Sequence, residues 1–562
     1  MLSTALLLVV LLLLLLYLCC RKPKGYPPGP KWWPIIGCAL EVARVRQETG
    51  YLFKTCSALC KKYGPVVGLK IGNDRIVVLN NYESMRMMLA DEDCDGRPIG
   101  PVFQARTWGS RRGLIVVDGN LWVEQRRFVL RHLREFGFGR NSMAVIIEDE
   151  AQKLVEHFQK LLQSGNNNTA NCVRNSTKEY HDNDGQIYKL QNEKDDDRRI
   201  VENGVEKHLT AGDLYVQAND YAEVRKVSQS SGIIISMHDA FGVSVLNTLW
   251  RMMAGKRLFN PDDKELTYLQ RILTKLLREI DMIGAPFGHF PILRFIAPEM
   301  SGYNSFVGTH RQLWKFLNEE LTNHKNTFKD DSPRDLMDVY LAVLNSKDYG
   351  DTFSESQLLA ICVDLFIAGS ETTSKALGFC FLYLVLFPNV QKKAQEEIDR
   401  IIGRDRFPTL ADRPRMTYMN AIVLESIRMF MGRTLNVPHR AINDTTILGH
   451  RIPKVPDTMI IANFNGILMD DSWGDPEDFR PERFIDESGN IFTPHKYFPF
   501  GMGRHRCMGE ILARSNVFLI TASLLQTFTF SVVPGEKPSK QDFVDGVTAG
   551  PKPFKALLSL RS

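Results

Sequence analysis

The chain has 562 residues, of which 44% are hydrophobic and 10% aromatic, a composition that excludes a disordered or fibrous protein and allows a large buried core. Its 70 Lys and Arg against 65 Asp and Glu leave a net charge of +5, too slight to argue for a nucleic-acid partner, so any basic docking surface must be local. Ten cysteines are scattered without a C-x-x-C pair, which argues against a disulfide framework and a structural zinc site and points to a reducing compartment.

The first 20 residues, MLSTALLLVVLLLLLLYLCC, carry no charged side chain and are followed at once by RKPK. About 20 helical residues span a hydrocarbon core of about 30 Å, so residues 1–20 are predicted to be a transmembrane signal-anchor. Basic residues before the apolar run and a small-residue cleavage site, the marks of a removed secretory signal, are not clear here. Positive charge after the run places the remaining chain on the cytoplasmic side. Asn167 and Asn175 stand in N-x-S/T triplets, which this orientation makes chance matches. Residues 21–30 form a basic, proline-rich hinge in which Pro27, Pro28 and Pro30 favour an extended connector.

Residues 31–562 are expected to form one large domain. The pattern from Tyr51 onward is mostly helical, with strand-like VVGLKIG and DRIVVLN early and HRIPKVPDTMIIANF late. This predicts a mainly α fold with small β-sheets, of α+β type. From Ser164 to Ser231 the sequence turns polar and loses apolar periodicity, so a largely disordered surface insertion is expected. Ala285 to Pro298, APFGHFPILRFIAP, is apolar and proline-broken: either a packed loop or a second surface dipping into the membrane.

Near the end stands FPFGMGRHRCMG, Phe498 to Gly509. Gly503 and Gly509 give room for a flat cofactor or a tight turn. Backbone amides, Arg504 and Arg506 favour the Cys507 thiolate, and the helical run after Gly509 puts the sulfur at a helix N-terminus. Such a thiolate is an axial ligand for haem iron, or else a nucleophile. For the second, His505 is the nearest base, but residues two apart on such a turn do not dependably face each other.

A haem ligand makes further demands. Across from it, Ala368, Gly369 and Ser370 interrupt a long apolar helix, and Glu371 and Thr372 follow as a carboxylate and hydroxyl able to relay protons; alone, AGSETT is equally a kink in a core. Two haem propionates need donors. Trp122 and Arg126 are four apart on one helical face, and Arg97 and His439 are further candidates, each otherwise an ordinary surface or capping residue. The cysteine loop needs support, and Glu425 with Arg428 one turn on, joined by Arg483, would lock it.

In this order and spacing the features resemble the cytochrome P-450 family, the haem-thiolate monooxygenases: the anchor and PPGP hinge, W-x-x-x-R at Trp122 to Arg126, AGSETT at Ala368 to Thr373, E-x-x-R at Glu425 to Arg428, PERF at Pro481 to Phe484, and the loop from Phe500 and Gly501 to Cys507 and Gly509. WVEQRRFVLRHLREFGFGR, DMIGAPFGHFPILRFIAP and FGMGRHRCMGE look like an insect developmental subfamily within the animal microsomal branch. One departure stands out: the family has arginine two residues before the cysteine, where this chain has His505, so that propionate contact falls to His505 or to Arg504 or Arg506.

The resemblance implies haem b held by Cys507, O2 as co-substrate, and protons supplied through Thr372 and Glu371. It further implies residence in the endoplasmic reticulum membrane with the catalytic domain cytoplasmic, and electrons from NADPH through NADPH-cytochrome P-450 reductase, with cytochrome b5 as a further donor. Arg127, Arg131 and Arg134, with Arg504 and Arg506, are the candidate reductase surface or a solvated helix face. Apolar pocket walls at 98–117, 283–296, 366–373 and 436–439 imply a lipophilic substrate, an endogenous lipid or ecdysteroid-like steroid before a foreign compound. The alternative function is a reductase-independent haem-thiolate isomerase or a haem sensor without catalysis.

Overall fold

The computed structural model describes residues 20–561 except 140, 175–200, 203–204, 207–231, 238–239, 258–263, 347–349 and 456. The predicted anchor lies outside the described residues apart from Cys20. Among those described, no single helix is long and apolar enough to cross a membrane.

The fold is built on one helix that is apolar all round. In α9 (Glu355–Leu386) the Ser354 hydroxyl accepts from Gln357 N–H and Glu355 sits in the first turn, a favourable N-terminus. The helix stops at Phe387, whose successor Pro388 disfavours continuation. A helix without a polar face belongs in a membrane or in a core, and here most of α9 is buried by protein. Its neighbours are α5 (Gly242–Ala254), α11 (Thr417–Met431) and α12 (Glu510–Thr527), which share its apolar cluster. Further out lie α3 (Gly119–Glu135), α4 (Asn141–Arg174), α6 (Lys264–Glu279), α7 (Tyr303–Thr327), α8 (Leu336–Asn345) and α10 (Pro388–Ile401).

Two small sheets flank this helical body. In the first, β1 (Val66–Ile71) and β2 (Asp74–Leu79) form an antiparallel hairpin, β2 runs parallel to β5 (Thr458–Ala462), and β5 pairs antiparallel with β4 (His439–Arg440). The stretches that read as strands from both ends of the chain thus meet in one sheet. In the second, β7 (Lys555–Leu560) lies between β6 (Phe528–Ser531) and β3 (Gly232–Ser236).

The polar stretch expected as an insertion begins inside a helix. α4 runs on past Ser164 to Arg174, since extending a formed helix adds a hydrogen bond per residue even where side chains are polar. A two-residue β-ladder pairs Val201–Glu202 with Val205–Glu206, and the rest of that segment lies outside the described residues until Gly232.

Candidate active site

The loop around Cys507 is shaped by its glycines. Gly501 and Gly503 take positive φ of 72° and 71°, and a Cβ on Gly503 would stand 2.3 Å from the Leu89 carbonyl oxygen. Gly503 is therefore required by the approach of the neighbouring backbone, the tight turn of the two expectations. Gly509 is different: its Cβ would meet Cys507 Sγ at an ordinary 3.9 Å, and what it supplies is its N–H, which donates to the sulfur. The loop closes through Cys507 N–H on Phe500 O at 2.9 Å, and Gly509 caps α12.

Cys507 is accessible, yet the protein around it is dense enough that desolvation is the largest influence on its thiol, pushing it up against the Gly509 amide, Arg126 and Arg506. The thiol keeps exposure although dense protein surrounds it. The same is true of one strip of α9. Ala368 is exposed and Leu365, Gly369 and Thr372 are partly exposed on one face, with Ile367 beside them, while the rest of the helix between residues 357 and 385 is buried. Thr372 donates its hydroxyl to Ala368 O at 2.6 Å. Gly369 has a packing duty, since a Cβ there would come within 2.6 Å of Leu249 on α5.

Glu371 is not brought to that strip. It is buried, with its carboxylate 3.4 Å from Arg278 on α6 and 3.6 Å from Lys375. With Ser370, Ser374, Gln270 and Thr274 it borders a separate cavity of about 30 Å³. A proton reaching Thr372 from Glu371 must therefore pass around the helix.

The predicted propionate donors do converge. Trp122 and His505 lie against each other, tilted by 41°, at 4.2 Å between ring centroids, His439 meets His505 edge-on at 5.3 Å, and the Arg126 guanidinium lies 5.3 Å from the Trp122 ring. Arg126 also donates to Arg506 O at 2.6 Å, tying α3 to the cysteine loop. Arg97 is buried and donates to Val437 O and Pro438 O at 3.0 and 2.9 Å, while its Nε–H has no partner. Burial depresses both guanidinium groups, Arg97 to about 10. Among the influences on Arg126 the only anion is Cys507. Buried Arg97, which has Asp95 and Asp118 near it but an orphaned Nε–H, and half-buried Arg126, which has no carboxylate among its influences, form a cationic cradle with a donor to spare, and the paired carboxylates of haem fit it.

The two histidines serve differently from the expectation. Burial and the charge of Arg97 hold His439 well below the usual range and His505 at about 3, so both rings are neutral with one N–H each. His439 Nδ1–H donates to Cys94 O at 2.9 Å and His505 Nε2–H to Asp95 O at 3.0 Å. Each spends its single donor on a carbonyl, so in this arrangement they orient the loops and leave donation to Arg97, Arg126 and Trp122. Neither arginine beside His505 replaces it: Arg504 points to Asp95 at 3.3 Å, and Arg506 Nε to Glu510 at 2.9 Å.

Below the loop, Glu425 is fully buried and accepts from Arg428 Nε and Nη2 at 2.7 and 2.8 Å, from Arg483 Nε at 3.1 Å and from Arg480 N–H at 2.9 Å. The arginines' remaining donors reach carbonyls of Leu468 and of residues 473–478. One carboxylate thus holds two guanidinium groups that lock the segment leading to the cysteine.

One pair escaped the sequence reading. Asp364, one turn before Ala368, is ion-paired with buried Arg106 and accepts from Leu114 and Ile115 N–H at 2.5 and 2.8 Å. It fastens the 106–115 segment to the active-site helix. An aspartate inside the apolar run LLAICVDLFIAG was the available signal.

This site, on this fold, is that of a haem-thiolate enzyme, and the chain belongs to the cytochrome P450 family, whose model matches residues 27–182 and 171–558. The family carries haem b with a cysteine thiolate as axial ligand, and the chain is a monooxygenase. The chain is 41% identical to probable cytochrome P450 303a1 of Drosophila melanogaster over 96% of this chain and 95% of that protein. It is 30% identical to farnesoate epoxidase of Bombyx mori (95% and 94% covered) and 29% identical to cytochrome P450 2J2 of Homo sapiens (94% and 90%). Dioxygen, a lipophilic substrate and a redox partner follow for the family in general.

Proposed function

We propose that Cys507 is the axial ligand, that Arg97, Arg126 and Trp122 hold the propionates, and that the protein oxygenates an endogenous lipophile at the endoplasmic reticulum membrane with electrons from NADPH-cytochrome P-450 reductase, assisted by cytochrome b5. The observation that carries it is the accessible Cys507 thiol beside Arg126, which has no carboxylate among its influences, together with buried Arg97, whose Nε–H is orphaned. When bound, haem supplies the oxidising chemistry and draws on the thiolate's electron density. The chain's part is to exclude water, position substrate along the Ala368–Thr372 strip, and hold a proton on the Thr372 hydroxyl.

Substrate approach is supported by a cavity of about 180 Å³ bordered by Pro98–Phe103, Ile283, Gly284 and Gly288, and by Arg440 and Met459 of the first sheet. Arg440 follows His439, so this cavity is one residue from the cation cluster. Membrane contact is supported by exposed apolar residues: Ile35 at 72%, Phe295 at 70% and Met300 at 91%, with Trp33 and Ile296 beside them. Their two segments meet on the β1–β2 turn, where Gly72 N–H bonds Ile36 O and Asn73 N–H bonds His289 O. Exposed Arg127, Arg131, Arg134, Arg504 and Arg506 lie on α3 and the cysteine loop, which Arg126 joins, and suit an acidic reductase surface. The printed name of the Bombyx relative, an epoxidase of farnesoate, favours an endogenous lipid or steroid over a foreign compound.

The test is reconstitution of the haem-loaded chain with reductase and NADPH, after a spectral binding screen of steroids, fatty acids and isoprenoid acids. NADPH-dependent product from one of these is expected. A haem protein that binds carbon monoxide yet consumes no NADPH with any lipophile would refute the reading.

A further inference from the structure

Where the segment before Leu114 crosses α7, it meets a stripe of that helix with unpaired donors. Phe306, His310 and Trp314 follow at four-residue spacing on one face of α7. Val102 and Phe306 share one buried apolar cluster at one end of the stripe, and Trp108 stacks on Trp314 at 4.5 Å at the other. Arg106 lies between Val102 and Trp108 in the chain, and its charge acts on His310. Trp108 adopts a φ of 57°, a left-handed conformation unusual for a bulky residue, and its exposed ring covers Trp314.

Charge is balanced here, but hydrogen bonds are not. Arg106 is buried and pairs through Nη2 with Asp364, while its Nη1 has no partner. The indole N–H of buried Trp314 has none either. Burial, with the Arg106 charge adding to it, holds His310 at about 3, so the ring is neutral. Its Nδ1–H donates to Phe306 O at 2.8 Å, which leaves Nε2 as an acceptor. Two orphaned donors and one acceptor are a costly set to bury without partners. A second anion would meet the Asp364 carboxylate, which already serves Arg106 and the amides of Leu114 and Ile115. A neutral oxygen that accepts twice and donates once suits the set, and that is a hydroxyl. Asp364 is one turn before Ala368, so the set stands at the end of the accessible strip away from Thr372.

We propose that Arg106 Nη1 and Trp314 Nε1 donate to a hydroxyl group of the substrate, which in turn donates to His310 Nε2, at the end of the molecule remote from the carbon that is oxidised. The substrate is then an uncharged lipid alcohol or hydroxysteroid rather than a fatty acid. This rests on the haem site proposed above and narrows what it takes.

The experiment titrates the full-length haem-loaded protein with N-alkylimidazoles, whose ring ligates ferric haem and shifts its absorbance whether or not any lipophile is turned over. Octyl, decyl and dodecyl chains are compared with methyl, hydroxyl and carboxylate ends. At one chain length the hydroxyl end is expected to bind about tenfold tighter than the methyl end, and tighter than the carboxylate, because it pairs donors otherwise left unpaired. Trp314→Phe, which keeps an aromatic ring and removes the N–H, should cut the hydroxyl-to-methyl affinity ratio severalfold. Arg106→Lys, which keeps the pair with Asp364 and removes the second arm, should do the same; if it loses haem, the ratio in Trp314→Phe decides. Equal binding of hydroxyl and methyl ends at every length, a carboxylate end that binds tightest, or an undiminished hydroxyl preference in Trp314→Phe overturns the proposal alone. Absence of an absorbance shift with every imidazole overturns the haem site, and the proposal with it.

Discussion

Glu425→Gln tests the support of the cysteine loop at its most exposed point energetically. The substitution keeps volume and one carbonyl oxygen but removes the only negative charge among two guanidinium groups, both nearly or fully buried. Four donors now converge on the carboxylate, three from guanidinium groups and one from Arg480 N–H. Glutamine accepts at one oxygen and turns an NH2 toward cations, leaving a buried like-charge pair. Breaking a buried ion pair from one side costs about 3–5 kcal/mol, against a total stability of about 5–15 kcal/mol. With a urea slope of about 3 kcal/mol/M, the midpoint should fall by about 1 M. Far-UV circular dichroism and haem absorbance, followed separately, should show haem leaving before the helices melt, because the freed carbonyls belong to the segment before Cys507. The double variant Glu425→Gln/Arg483→Gln removes one orphaned charge too, and should be about 1–3 kcal/mol less damaged than the sum of its parts. A Glu425→Gln protein with parental haem content and a midpoint within about 0.2 M would refute the reasoning.

Cys507→Ser should abolish the thiolate signature in the reduced carbon monoxide spectrum and at least about 99% of turnover while the far-UV spectrum is kept; a parental spectrum would remove Cys507 from the iron. Thr372→Ala should lower product formed per NADPH by about tenfold or more with substrate binding little changed, measured by product and NADPH consumption together. Asp364→Asn leaves the Arg106 charge buried and releases the 106–115 segment; a loss of about 2–4 kcal/mol and weaker substrate binding are expected in urea and spectral titrations. His324 is buried against Glu320 and Asp335, with Lys256, Arg334 and Asp338 around it; burial lowers its pKa, but the carboxylate bonds prevail and hold it at about 10. Its folded value lies above the unfolded one, so its contribution is whole below about pH 6.5 and lost as pH rises toward 10. His324→Gln should therefore cost about 2–4 kcal/mol at pH 6 and far less near pH 10, and equal losses at both pH values would show that the imidazolium is not the source.

The sequence by itself determined which candidate residues stand together, because Trp122 and Arg126, Glu425 and Arg428, and the residues around Cys507 lie at short spacings that a turn or helix must present side by side. It also pointed to Glu355–Leu386 as a helix interior, but the interruption expected at Ala368, Gly369 and Ser370 is not there: the helix runs through them unbroken. Direction was decided by tertiary structure. Thr372 and Glu371 are neighbours in the chain, yet one lies on the accessible strip and the other turns to Arg278, which arrives from α6, 93 residues away. Gly503 read as room for a flat cofactor or a tight turn, and what it clears is the Leu89 carbonyl, while Gly369 clears Leu249. His505 and His439 stand where donors were expected, but their protons are taken by the carbonyls of Asp95 and Cys94. A pattern along one chain fixes what a residue is able to donate or accept; the backbone that comes to meet it from distant sequence fixes whether that capacity is already spent.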